Sequence, residues 1–248
     1  MDQIAMLEAT LARYRTDSQR PRSWLIEAAL PETPARGKQP PAWCVTGQDV
    51  VAAMAAASGH IGVMNFASPT RPGGGVELGA RAQEESIAKA TYLLPALREF
   101  DQTYYAANRA APNGGLFSAT LIYTARCRQC FDAAGRPLSA HFVDVVTVAA
   151  PNRAAYPGLS ERDTEPDLAF KILQTLRAFK QQGATYLILG AFGTGVFANP
   201  IAQVGRLFGT ALRRPEFHGA FDAVEFAVFD RAGDRRQAFA AALGTSID

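Results

Sequence analysis

The 248-residue chain balances 25 lysines and arginines against 23 aspartates and glutamates, and the resulting charge of +2, scattered along the chain, is too small to mark a nucleic-acid surface. With 48% apolar and 19% charged residues it has material for a packed core and no compositional case for disorder. Three cysteines argue against a disulfide framework and point to a reducing, cytoplasmic setting, and no apolar run is long enough to cross a bilayer.

In chain order, Ile4, Leu7, Leu11 and Tyr14 recur at helical spacing and predict an amphipathic N-terminal helix. Pro21, Pro31, Pro34, Pro40 and Pro41 then interrupt regular structure, so residues 1–44 read as a helix and a proline-rich arm packed on a domain spanning 45–248. A helix is expected from Val50 to Ala57, a buried strand from Ile61 to Phe66, a loop rich in proline and glycine, and a helix around Ala80 to Ala90. Thr120 to Ala125 and Phe142 to Ala149 are β-branched, apolar runs, suited to buried strands and placed to pair as a hairpin. A helix starts at Thr164, with Glu165 and Pro166 in its first turn, and stops at Gly183. The strand Tyr186 to Leu189, a glycine-rich loop, a helix near Pro200 to Leu212, the strand Val224 to Phe229 and a terminal helix complete an α/β sandwich around a mixed sheet.

Two loops stand out because each follows a buried strand and leads into a helix, the position where open α/β sheets bind ligands. In the first, NFASPTRPGGGVELGARAQEES, the absence of Cβ atoms at Gly73, Gly74 and Gly75 would let backbone N–H groups approach a phosphate. In the second, GAFGTGVFANP, Gly193 and Gly195 offer the same approach, and Phe197 is available to stack on a sugar or base. An isolated GGG is more often a flexible turn, and an isolated phenylalanine is as readily core. Neither loop fits GxxxxGK[ST], and no GxGxxG opens the first βα unit, which leaves a nucleoside triphosphatase or a Rossmann dehydrogenase poorly supported.

The order GGG, seven residues, then Gln83-Glu84-Glu85 resembles the signature of poly(ADP-ribose) glycohydrolases. The likeness to the microbial type continues through IGVMNFASPTRPGGGVELGARAQEES, TYLLPAL, FVDVVTVAAPN and YLILGAFGTGVFANP, over roughly residues 45–245. It implies a macrodomain, a three-layer α/β/α fold, with Glu85 as general acid and base and Glu84 on ribose hydroxyls. Helical geometry supports that division, because adjacent residues point about 100° apart and cannot oppose each other across one bond. The resemblance also implies that Asn65, Ala67, Gly73, Gly74, Gly75, Val76 and Gln83 hold the distal ribose and diphosphate. Gly193, Thr194, Gly195, Val196, Phe197 and Ala198 would clasp the diphosphate from the other side. Where the family usually has tryptophan, cysteine and glycine, this loop carries Phe192, Thr194 and Ala198.

The expected reaction is hydrolysis of the ribose–ribose O-glycosidic bond to release terminal ADP-ribose, by a monomer that uses no metal or organic cofactor. The expected partners are ADP-ribose and poly(ADP-ribose) or ADP-ribosylated macromolecules, with no membrane and nothing that speaks for nucleic acid. Two other readings keep the same fold: a hydrolase of singly ADP-ribosylated acceptors, and a non-catalytic ADP-ribose-binding module. Cys127 and Cys130 form a CxxC without a second ligand pair, and Cys44 with His60 or His141 has no spacing that argues for a thiol hydrolase.

Overall fold

Asp2 opens the first helix, α1 (Gln3–Thr16), by accepting hydrogen bonds from the Ile4 and Ala5 N–H groups. A computed structural model describes residues 2–245. After α1 come β1 (Arg22–Ile26), β2 (Ala42–Thr46), α2 (Val50–Ala56), β3 (Ile61–Phe66), α3 (Gln83–Ala90), α4 (Leu93–Arg98) and α5 (Ala106–Ala110). A long hairpin, β4 (Leu121–Phe131) and β5 (Pro137–Val148), leads to α6 (Glu161–Gln182), β6 (Tyr186–Leu189), α7 (Ile201–Leu212), β7 (Ala223–Ala227) and α8 (Asp234–Leu243).

The seven strands form one sheet in the order β1-β4-β5-β3-β6-β7-β2. β1, β4 and β5 pair antiparallel, whereas β5, β3, β6, β7 and β2 run parallel. Alternation along each strand sends neighbouring side chains to opposite faces. Met64, Tyr123 and Val146 pack with Leu176, Phe179 and Phe208 of α6 and α7, while Val63, Ile122 and Val145 pack with Met6, Met54 and Ile87 of α1, α2 and α3. The result is the expected three-layer α/β/α sandwich.

The proline-rich segment departs from expectation, because it supplies both edges of the sheet. β1 lies antiparallel to β4 and β2 parallel to β7. Pro21 stands just before β1, where it removes no hydrogen bond from the ladder, and an edge strand tolerates such a neighbour. α6 also begins earlier than Thr164: Ser160 accepts from the Asp163 N–H while Asp163 accepts from the Ser160 N–H, a reciprocal cap that fixes the start. Gly183 ends α6 in the left-handed conformation, as its position predicts. The parallel strands β3, β5 and β6 are adjacent, so the loops leaving their carboxyl ends converge on one edge of the sandwich. No helix among the described residues is long and apolar enough to cross a membrane.

Candidate active site

α3 begins with the three polar residues of interest, and their successive rotation around the helix sends them to three different places. Gln83 points back to β3, donating through Nε2 to the Met64 carbonyl (2.7 Å) and accepting at Oε1 from the Phe66 N–H (2.9 Å). Its amide thereby fastens the helix start to the end of the strand.

Glu84 turns under the loop and is almost wholly buried. One oxygen accepts from the Ser68 N–H at 2.7 Å and the other from Asn65 Nδ2 at 3.3 Å. Desolvation outweighs these bonds and pushes its carboxyl up to about 8. Asn65 has no exposed surface; it stands behind Glu84 and also donates to Thr147 Oγ1 at 3.2 Å. Its amide thus orients the carboxyl of Glu84.

Glu85 folds back over the start of its own helix. Its Oε2 accepts from the Ala82 N–H at 3.1 Å, and its Oε1 accepts from the Gly75 N–H at 2.8 Å. The side chain is buried yet forms part of the cleft wall, where these bonds hold the carboxylate in one orientation.

Most N–H groups of the glycine turn are engaged within the protein, which alters the expected role of this loop. Gly74 donates to the Arg71 carbonyl, Gly75 to Glu85, Val76 to the Gly73 carbonyl, and the Gly73 N–H faces Glu84. Gly73 and Gly74 adopt φ of +69° and +61°, a region that glycine enters without strain. The Val76 side chain anchors the turn in a small apolar cluster with Leu7, Ala88 and Leu94. The loop therefore works as a mount for the carboxylates.

The second loop has the complementary character. Thr194 donates its N–H and hydroxyl to the Ala191 carbonyl, and Arg235 of α8 donates to the Thr194 carbonyl (2.7 Å) and hydroxyl oxygen (3.0 Å). Asn199 clamps the loop base by donating to the Pro151 and Gly193 carbonyls. Among the described residues, the N–H groups of Gly193, Gly195, Val196 and Phe197 have no acceptor within the protein. Ala198 holds φ of +57°, the conformation for which glycine is better suited.

One cleft brings most of these parts together. Ala67, Gln83, Glu84 and Glu85 form one wall, and Gly193, Gly195, Val196 and Phe197 face them from the other. Asn65 and Thr194 are buried beside these walls, whereas Ala198 is exposed and lies outside the lining of the cleft. Phe192, which stands where the family usually has tryptophan, is fully buried and packs on Phe66 with ring centroids 5.6 Å apart. Ser68, Ala82 and Arg235 gave no separate signal, since two of them act through backbone N–H groups and the third lies far along the chain. Beyond the second loop the cleft continues over Asp49, Phe229 and Arg235, with the Phe229 ring largely exposed.

The residues set aside from sequence lie elsewhere. Cys127 and Cys130 are buried in β4, His60 is bonded to Asp144 at 2.8 Å, and His141 is bonded to the Met54 carbonyl. Among the described residues no three His, Cys, Asp or Glu side chains cluster in a way that could hold a metal ion.

The chain resembles solved structures over most or nearly all of its length. The poly(ADP-ribose) glycohydrolase of Thermomonospora curvata is 31% identical, with 97% of this chain and 98% of that one covered at a TM-score of 0.84. The same enzyme bound to the inhibitor ADP-HPD gives 30% identity, 96% and 98% coverage and a TM-score of 0.81. The poly(ADP-ribose) glycohydrolase of Deinococcus radiodurans in complex with ADP-ribose is 32% identical, with 84% and 86% covered and a TM-score of 0.76. No curated protein sequence matches the chain. Residues 6–130, which include the glycine turn and Gln83, Glu84 and Glu85, match the family described as the catalytic domain of microbial-type PARG. On the family match and on the near full-length likeness at 31% identity, the chain belongs to the microbial-type poly(ADP-ribose) glycohydrolases.

Proposed function

We propose that the protein hydrolyses the ribose–ribose O-glycosidic bond of poly(ADP-ribose) and releases terminal ADP-ribose, with Glu85 as general acid and base. The observation that carries the residue assignment is the hold on Glu85, whose two oxygens are fixed by the Gly75 and Ala82 N–H groups while the side chain lines the cleft. Breaking a ribosidic bond passes through an oxocarbenium-like state. The Glu85 carboxyl gives its proton to the departing ribose oxygen as the C–O bond breaks, and the carboxylate then takes a proton from the water that attacks the anomeric carbon. Glu84 binds hydroxyls of the distal ribose from the floor of the cleft.

The diphosphate sits on the second loop, whose Gly193, Gly195, Val196 and Phe197 line the cleft and have N–H groups unpaired among the described residues. The adenosine end extends over the exposed ring of Phe229. Residues 1–44 belong to the same working unit as residues 45–248, because they supply β1 at one edge of the sheet and the first part of β2 at the other.

Replacing Glu85 by Gln tests the assignment. The amide keeps the shape and cannot donate an acidic proton, so ADP-ribose release from polymer should drop by at least about 100-fold. Affinity for ADP-ribose, read by calorimetry, should stay nearly unchanged. Full activity in this variant would overturn the role of Glu85, and ADP-ribose binding by the wild type without any turnover would make the protein a reader.

A further inference from the structure

Arginines that are far apart in the sequence meet at one corner of the sheet. β1 pairs with β4 so that Arg22 stands opposite Ala125, next to Arg126, and β4 pairs with β5 so that Arg128 stands opposite Phe142. This corner is remote from the cleft: the run from Phe142 to Val148 puts about 20 Å of strand between it and the end of β5 that borders the site. The even scatter of charge along the chain is therefore not its distribution on the folded surface.

Each guanidinium is laid on an aromatic ring. Arg22 lies 5.3 Å from the centre of Trp24, and Arg126 and Arg128 share Phe142, at 4.6 Å and 5.9 Å. Arg20, two residues before Arg22, lies 3.9 Å from the centre of Tyr14. Of these four, Arg128 pairs with Asp17 at 2.6 Å, whereas among the described residues no carboxylate pairs with Arg20, Arg22 or Arg126. Like charges held this close repel one another, and an anion beside them relieves the repulsion. The backbone is bent to keep Arg126 in place: the register of β4 shifts between Thr124 and Cys127, and Arg126 takes φ of +54°, a costly value for a residue with a side chain. Buried Asp144 holds the bend by accepting from the Arg126 N–H at 2.8 Å, and the Tyr123 hydroxyl and His60 fix the same carboxylate at 2.7 Å and 2.8 Å. A strained position tied to a buried carboxylate gives an exposed guanidinium a set direction.

We infer that this corner binds single-stranded nucleic acid, with the unpaired guanidiniums of Arg20, Arg22 and Arg126 on its phosphates and their ring-backed faces against unpaired bases. A guanidinium that lies on an aromatic ring keeps its N–H edge for phosphate and its outer face for stacking. A duplex hides the faces of its bases. Consecutive diphosphates of poly(ADP-ribose) are separated by two riboses, those of a nucleic acid backbone by one, and guanidiniums on neighbouring strands match the closer spacing.

Fluorescence anisotropy with a labelled oligothymidylate of about twelve nucleotides tests this. For the wild type, log Kd should rise with log salt at a slope of about 2, the value for three phosphate contacts on a single strand. Arg22→Gln and Arg126→Gln should each weaken binding about eightfold at about 50 mM salt and lower that slope by about 0.7. Arg22 lies outside the bend, so its variant decides the matter even if Arg126→Gln disturbs the strand. Arg162→Gln removes an exposed arginine of α6 and should bind like the wild type. All three variants should release ADP-ribose from polymer at the wild-type rate. Absence of binding by the wild type at that salt, an equal loss in Arg162→Gln, or displacement of the oligonucleotide by free ADP-ribose would overturn the surface. A duplex of the same length bound equally well would overturn the single-strand assignment, and slower turnover of polymer with oligonucleotide binding intact would give the corner to the substrate instead.

Discussion

A Cβ atom on Gly74 would lie 2.4 Å from Glu85 Oε1 and 3.0 Å from Glu84 Oε2. The turn and the two carboxylates are therefore packed as one body. Gly74 also holds φ of +61°, where any L side chain is strained by about 1–2 kcal/mol. Gly74→Ala should cut ADP-ribose release by about 100-fold or more, because a displacement of the catalytic group near 1 Å is enough for that. The melting temperature should fall by only a few degrees, by about 2–4 °C per kcal/mol in a chain this long. A variant that keeps near-normal turnover would show that the carboxylates can move away without consequence.

Glu84 makes pH dependence a direct readout of the site. Its carboxyl is raised from the ordinary 4.5 to about 8, so the folded protein holds a proton that the unfolded chain releases in that interval. Stability from this group is greatest below the lower value, declines as pH rises through the window and levels off above about 8. Glu84→Gln stays neutral throughout and should show a flatter melting temperature between these limits. Above about 8 the wild-type Glu84 gains a negative charge beside an anionic ligand, and ADP-ribose affinity should weaken with pH. In Glu84→Gln that alkaline weakening should disappear. Parallel pH profiles for the two proteins would reject the assignment.

The parts of the fold that the sequence announced are those where the local signal agrees with the tertiary outcome. The strands Ile61 to Phe66 and Tyr186 to Leu189 are found as read, because each is an apolar run buried on both faces. β1 escaped notice because it is a five-residue edge strand after a proline, formed by pairing with β4, which local pattern does not reveal. In the site, residue type pointed to the right segments, but not to where each side chain aims. Gln83 clasps the β3 backbone while lining the cleft, and Asn65 lies buried behind Glu84, placements that sequence alone does not reveal. The glycines announced close approach, and the group that approaches is the protein's own carboxylate. The open N–H groups of the second loop were legible only as a glycine pattern.

Ala198 stands in the left-handed region at φ +57° in the loop that faces the carboxylates. Its N–H still donates to the Gly195 carbonyl, so the turn needs this conformation and the alanine Cβ opposes it. Replacing it by glycine removes about 1 kcal/mol of strain, offset in part by the greater freedom of glycine in the unfolded chain. Ala198→Gly should raise the melting temperature by about 1–3 °C with turnover unchanged. Destabilisation of that variant would mean that the methyl group contributes packing that outweighs its strain.

Arg235 offers a test of the second loop that leaves Glu85 alone. It reaches from the start of α8 to the carbonyl and hydroxyl oxygens of Thr194, and Thr194 in turn donates to Ala191, so one guanidinium ties the loop to the body of the protein. The neighbouring N–H groups of Gly193, Gly195 and Val196 have no acceptor of their own among the described residues, so the tie through Thr194 is what anchors this stretch. Arg235→Ala lets the loop sample other arrangements, and the diphosphate must then order it on binding, which lowers affinity by the fraction of time the loop is competent. The expected result is an increase of about tenfold in KM for polymer and in Kd for ADP-ribose, the scale of losing one charge-assisted hydrogen bond. By contrast kcat should change little, since Glu85 is held by Gly75 and Ala82 and not by this loop. A fall in kcat with KM unchanged would place Arg235 in the chemical step and refute the division of labour between the two loops.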